Sequence, residues 1–323
     1  MPARRAIGVD LGGTKLLAGA VDPALGVHHR LQRTITGLDQ RAVLDAAVDA
    51  VAQARASAGG EVEAVGFGIP VLMDQRTGRA VVGINTPLVD ISFADVMTER
   101  LGLPVFVDND GNLAALAEHR AGAARGASEA VVLTVGTGIG GGLILRDEIY
   151  RGALGAAAEL GHIVIDFGGP PCQGNCPNRG CVEAFASGMA LAREARRIAQ
   201  ERPGSGLARV VSDGRALAGP LVTELAHDGD PAAIEAIELI GARLGIAISS
   251  LINIFNPQVV VVGGGVMAAG ELLLAPARAV VAQRTLPFLA DNVRIVRARF
   301  GVEAGMVGAA ALAFDGLMKE AAW

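Results

Sequence analysis

Two stretches, AIGVDLGGTKLLAGAVD (Ala6 to Asp22) and AVVLTVGTGIGGGLIL (Ala130 to Leu145), share one design. Each reads as an apolar strand, a glycine-rich turn and a second apolar strand. The first turn is Gly12-Gly13-Thr14-Lys15, with Asp10 near the end of the strand before it, and the second is Gly136-Thr137-Gly138-Ile139-Gly140. A turn without side chains lets backbone N–H groups approach phosphate oxygens closely. One glycine hairpin is a common structural device. Two of the same design, far apart in the chain, predict an internal duplication with phosphate held between the halves. Neither the Walker pattern nor the dinucleotide fingerprint fits, because GGTK lacks the spacing of the first, and Gly136 to Gly142 leads into a strand where the second requires a helix.

A third glycine run, NPQVVVVGGGVM (Asn256 to Met267), ends four valines in Gly263-Gly264-Gly265 and offers a flat backbone against which a nucleotide base can lie. Leu244 to Gly270 carries no formal charge, but Asn256-Pro257 and the three glycines interrupt it, so it reads as a buried helix, a turn and a buried strand.

The 323 residues suffice for about two domains, and 51% apolar with 19% charged residues is a globular composition. A net charge of -5 supplies no basic field for nucleic acid or anionic lipid, so the expected partners are small molecules, with no nucleic acid and no membrane. MPARRAIGVD passes directly into a strand-like run without the apolar core of a secretory signal, which predicts a cytoplasmic protein.

All three cysteines, Cys172, Cys176 and Cys181, lie in GHIVIDFGGPPCQGNCPNRGCVEA (Gly161 to Ala184), shortly after His162 on a strand-like HIVIDF. Three thiolates and one imidazole make the ligand set of a closed tetrahedral zinc site, and the prolines and glycines between them suit a loop wrapped around an ion. Four protein ligands leave no position for substrate, so the metal is expected to be structural. Glu159 and Glu183 bracket this loop and can accept hydrogen bonds from a polyhydroxyl ligand. LPVFVDNDGNLAALAEHRAG (Leu103 to Gly122) reads as a strand, Asp108-Asn109-Asp110, and a helix from about Asn112. A carboxylate at a helix N-terminus is held ionised by the dipole and the free N–H groups, which would keep Asp110 ready to accept a proton.

DLGGTK, DND-GN, TVGTGIGGG, the E-x-G-H of Glu159 to His162 and the cysteine loop ending GCVEAFASG occur in the order found in the ROK family (repressors, open reading frames and kinases), and the chain resembles the family's bacterial glucokinases along nearly its whole length. The resemblance implies an α/β, actin-like ATPase (ribonuclease H-like), duplicated two-domain sugar-kinase fold with an interdomain cleft. The expected domains are residues 1–120, joined by a C-terminal helix at about 304–319, and residues 121–303, carrying the zinc loop 162–181. The resemblance also implies ATP-dependent phosphorylation of glucose, with Asp110 accepting the proton of the sugar hydroxyl. Asn109, Asp110, Glu159, His162 and Glu183 would contact the sugar. Asp10, Gly12, Gly13, Thr14, Lys15, Gly136, Thr137 and Gly138 would handle phosphates and Mg2+, and Gly264 and Gly265 would lie near adenosine. The zinc would place Glu159 and Glu183 on the sugar without touching the phosphate.

Two departures stand out. The family's usual C-x-C-x-x-x-x-C is lengthened here by Gln173, Gly174 and Asn175 in the first gap, with every ligand retained, and its frequent Gly-x-Pro-Gly is Gly68-Ile69-Pro70-Val71. The second change falls where relatives approach the sugar. Kinases for N-acetylmannosamine, N-acetylglucosamine or fructose are therefore the rival reading. A sugar-responsive repressor is a more distant one, since about five residues precede the first strand and leave no room there for a helix-turn-helix. Both ATP and polyphosphate remain open as donor, and both a homodimer and a homotetramer as assembly.

Overall fold

The computed structural model describes residues 3–74, 79–83 and 86–320. The chain separates into two compact units, one gathering Met1–Gly126, Gly142–Ala158 and Val302–Trp323, the other Ala127–Gly141 and Glu159–Gly301.

The first unit opens with β1 (Arg4–Leu11), β2 (Lys15–Val21) and β3 (Val27–Thr34), then α1 (Gln40–Ala56), whose N-cap Asp39 accepts from Ala42 N at 2.8 Å. β4 (Glu61–Ile69) follows, then the strands β5 (Val71–Asp74), β6 (Arg79–Gly83) and β7 (Val89–Ile91) of a small antiparallel sheet. α2 (Phe93–Leu101) stops at Gly102, whose φ of 63° is the left-handed conformation glycine adopts without cost, and β8 (Val105–Asn109) and α3 (Asp110–Ala121) complete the run. The main sheet has the order β3-β2-β1-β4-β8, antiparallel across β1, β2 and β3 and parallel across β1, β4 and β8. Central β1 and β4 are buried almost throughout, as strands covered on both faces must be, whereas edge strand β3 alternates exposed and half-buried residues. Phe67 and Phe93 meet edge to face, with centroids 5.2 Å apart, in the core on the α1 side.

β9 (Glu129–Val135), β10 (Ile139–Leu145) and β11 (Glu148–Ile149) come next in sequence, followed in the second unit by α4 (Val182–Ala186), α5 (Gly188–Glu201), α6 (Gly206–Ser212), α7 (Gly219–His227) and α8 (Pro231–Phe255). β12 (Val259–Gly263), α9 (Glu271–Arg284), α10 (Pro287–Ala290) and β13 (Arg294–Arg297) end that unit. Their sheet has the order β11-β10-β9-β12-β13, with β9, β12 and β13 parallel and β10 and β11 antiparallel. The two sheets thus repeat one strand order, which is the duplication the paired glycine hairpins predict. α8 starts at Asp230-Pro231 and stops at Asn256 (φ 44°) before Pro257, while all of β12 is buried. The uncharged run is accordingly a core helix, a turn and a central strand.

α11 (Ala304–Glu320) returns to the first unit and packs on β1, β4 and α3. Glycine permits this approach: a Cβ at Gly8 would stand 1.9 Å from Met306 O, one at Gly66 1.8 Å from Ala309 O, and one at Gly308 1.8 Å from Leu113 O.

Candidate active site

In the first unit, the register of parallel strands aligns Asp10 with Gly68 and Gly68 with Asp108, so the ends of β1, β4 and β8 lie side by side. β8 runs directly into α3. Asn109, in extended conformation, is the N-cap, and its Oδ1 accepts from Gly111 N at 2.8 Å and from Asn112 N at 3.3 Å. The helix begins at Asp110, two residues earlier than the sequence suggests, because the asparagine side chain supplies the cap that DND leaves ambiguous. Asp110 therefore occupies the first turn, where its Oδ1 accepts from Gly111 N at 2.9 Å. Burial outweighs that bond and raises the Asp110 carboxyl, opposite to the expectation that the helix N-terminus holds it in its ionised form. Burial also pushes the Asp10 carboxyl up to about 7, and the nearby charge of Asp110 adds to the effect. Gly305, in the first turn of α11, leaves room for Asp10: a Cβ there would stand 2.7 Å from its Cγ.

Asp108 is a residue whose role sequence reasoning missed. It is 1% exposed, and its Oδ1 accepts from Asn109 N at 2.8 Å and from Asn112 Nδ2 at 2.9 Å. Its Oδ2 accepts from Arg151. The Gly12–Lys15 turn is closed by Gly12 N donating to Lys15 O at 2.9 Å, and Ile35 N donates to Thr14 O at 2.9 Å, while Thr14 and Lys15 are exposed.

In the second unit, the turn after β9 is Gly136-Thr137-Gly138, since β10 already starts at Ile139. Gly136 N donates to Gly138 O at 2.9 Å, and Gly136 O accepts from Gly188 N at 2.8 Å. Ile139 N donates to Glu183 Oε2 at 2.8 Å. Gly264 (φ 86°) presses against the end of β9, where a Cβ would stand 2.5 Å from Val135 O, and Gly265 opens a single 3-10 turn, Gly265–Ala269.

The metal loop also lies in this unit. His162 ends a 3-10 turn, Leu160–His162, not a strand, and the extended pairing near it is reduced to the isolated bridges Val164↔Cys181 and Pro171↔Arg179. The prolines of the loop cannot donate to a ladder, and its glycines weaken an extended strand. The donor atoms of His162, Cys172, Cys176 and Cys181 all fall within 4.8 Å of one another. His162 Nδ1 is 3.5 Å from Cys172 Sγ, and Cys176 Sγ is 3.9 Å from Cys181 Sγ. Ligands on ~2.3 Å metal–sulfur bonds in a tetrahedron stand about 3.8 Å apart, so the quartet fits one zinc-sized ion. Burial and the adjoining thiols push Cys172 up, and burial leads the same shift at Cys181; such crowded sulfurs ionise together only around a cation. With Nδ1 turned to the sulfurs, His162 Nε2 lies 3.9 Å from Glu159 Oε2. Glu159 is exposed and Glu183 half-buried.

The structure thus assembles the four metal donors, and groups Glu159, Glu183, Gly136, Thr137 and Gly138 with them in one unit, Asp10, Asn109 and Asp110 in the other. Glucokinase of Thermotoga maritima is 33% identical over 314 residues, covering 97% of this chain and 98% of that protein. The xylose repressor of Bacillus spizizenii is 27% identical, covering 96% of this chain and 77% of the repressor. A crystal structure of a ROK family glucokinase from Streptomyces griseus, in complex with glucose and AMPPNP, superposes with a TM-score of 0.88 at 35% identity, covering 97% of this chain and 100% of that one. The fold is that of the actin-like ATPases, as in the ROK sugar kinases. The ROK family profile spans residues 6–315, and the chain belongs to the ROK family.

Proposed function

We propose that this protein is a glucokinase that transfers the terminal phosphoryl group of ATP to the 6-hydroxyl of glucose. One observation carries the reading: a full-length likeness to glucokinases, one of them captured with glucose and AMPPNP, in a chain that holds a half-buried carboxyl, Asp110, at a capped helix start. Burial raises the proton affinity of this carboxyl, which suits a group that must take up a proton. Asp110 accepts the proton of the sugar hydroxyl as that oxygen attacks phosphorus, and Asn109, with its Oδ1 committed to the cap, presents its amide donors to the sugar.

His162 Nε2, Glu159 and the remaining oxygen of Glu183 bind ring hydroxyls. Gly12, Gly13, Thr14 and Lys15, with Gly136, Thr137 and Gly138, bind phosphates, and Gly264 and Gly265 accommodate adenosine. Asp10 would hold Mg2+, which when bound would supply positive charge beside the transferring phosphoryl group. His162, Cys172, Cys176 and Cys181 hold a structural zinc. The protein works in the cytoplasm as a homodimer or homotetramer, with no nucleic acid or membrane partner.

The test is kcat/KM for glucose, mannose, fructose, N-acetylglucosamine and N-acetylmannosamine with ATP and with polyphosphate. Glucose with ATP is expected to be best. A lead of tenfold or more for an N-acetyl sugar would overturn the glucose assignment and leave the kinase assignment standing.

A further inference from the structure

Sequence reasoning keeps the metal and the phosphate turn apart, but the structure joins them. The segment from Cys181 to Gly188 holds the turn after β9 at two points: Glu183 Oε2 accepts from Ile139 N at 2.8 Å, and Gly188 N donates to Gly136 O at 2.8 Å. Cys181, a metal donor, is itself the N-cap residue of α4, on which Glu183 sits. At the other end of the segment, Ser187 is fully buried and caps α5, its Oγ accepting from Ala190 N at 3.2 Å.

The same Ser187 Oγ accepts from Gln173 Nε2 at 2.8 Å, and Gln173 Nε2 also approaches Glu183 O at 3.5 Å. Gln173 lies between the metal donors Cys172 and Cys176, in the lengthened gap of the cysteine loop. A metal held by Cys172 on one side and Cys176 on the other would fix its backbone, and its side chain would carry that constraint to the cap immediately preceding Gly188.

We propose that Gln173 is a positioning residue that latches the metal loop to the start of α5, so that metal occupancy and nucleotide binding are coupled through Ser187, Gly188 and Gly136. This rests on the reading that Gly136–Gly138 binds nucleotide phosphate and that the Cys3His quartet binds zinc. Coupling between two binding sites is reciprocal: if zinc tightens the hold on nucleotide, nucleotide must retain zinc by the same factor.

The test uses the full-length zinc-loaded chain and the variant Gln173→Met, which keeps the side-chain length and removes the donor. Zinc release to a coloured chelator is timed with and without Mg·AMPPNP, and AMPPNP affinity is measured by calorimetry. In the wild type, AMPPNP should slow release by about two- to tenfold, the worth of one hydrogen bond. In Gln173→Met, release should be faster and the slowing by nucleotide lost, with AMPPNP bound correspondingly more weakly. Wild-type release that ignores AMPPNP, or a variant that keeps the full slowing, would overturn the latch while leaving both sites in place. A wild-type chain that binds no AMPPNP or no zinc would overturn the functional reading, and the latch with it.

Discussion

The guanidinium of Arg151 meets a single oxygen of Asp108, Nε donating to Oδ2 at 2.7 Å and Nη2 lying 2.7 Å from the same oxygen in an ion pair. The Asp108 side chain is 2% exposed and that of Arg151 30%, so the carboxylate depends on this partner for its compensation. Through its other oxygen, Asp108 anchors Asn109 N and Asn112 Nδ2 beside Asp110. Arg151→Met removes one partner of a buried pair and should cost about 3–5 kcal/mol in urea denaturation. A variant within about 0.5 kcal/mol of the wild type would show that water serves Asp108 equally well.

For Asp110→Asn, the half-buried carboxyl is lost while the side-chain volume and the Asn109 cap remain. Sugar binding should persist and turnover should fall by about 10²–10⁴-fold. Glucose affinity by calorimetry and kcat by coupled assay separate the two effects, and wild-type turnover in the folded variant would remove Asp110 from the chemistry.

Asp10 should impose a pH dependence on stability. Its carboxyl rises on folding from 3.8 to about 7, chiefly by burial. The unfolded chain therefore releases this proton at lower pH than the folded one, and ionisation opposes folding. The penalty is complete above about 7 and fades as pH falls toward 3.8. In Mg2+-free buffer, Asp10→Asn should be more stable than the wild type near pH 8, with the gap narrowing toward about pH 4. A gap that widens on acidification would reverse the assignment.

Elemental analysis should find about one zinc per chain, and Cys176→Ser should lose it. Sugar phosphorylation should then drop sharply, because His162, Cys181 and the segment carrying Glu183 lose their common anchor. Nucleotide affinity should weaken by the factor that the Gln173 latch transmits. A metal-free preparation with full activity would leave the three thiols without a structural role.

The contact of α11 with the first sheet predicts a packing effect. Gly66→Ala places a methyl group where Ala309 O lies 1.8 Å from the ideal Cβ, and backbone cannot rotate away as a side chain can. The helix must lift from β4, at a cost of about 3 kcal/mol, read from the urea midpoint. An unchanged midpoint would mean that α11 shifts freely.

Much of this protein is written locally in its sequence. The paired glycine hairpins announce a duplicated α/β architecture because turn chemistry and strand periodicity act over a few residues. The cysteine spacing points to a four-donor cluster for the same reason, and the donor atoms of His162, Cys172, Cys176 and Cys181 do gather within 4.8 Å of one another. Asn256-Pro257 marks the end of α8 because a left-handed cap followed by proline cannot continue a helix. The tertiary structure alone decided the rest. Arg151 reaches Asp108 across 43 residues, Ile139 N reaches Glu183 across 44, and Gln173 reaches Ser187 across 14. No periodicity or composition encodes such bonds, because each exists only once packing has brought two segments together. Asp110 makes the same point about charge: the sequence supplies the carboxylate and the helix start, but burial, a property of the folded chain, sets which way its proton affinity moves.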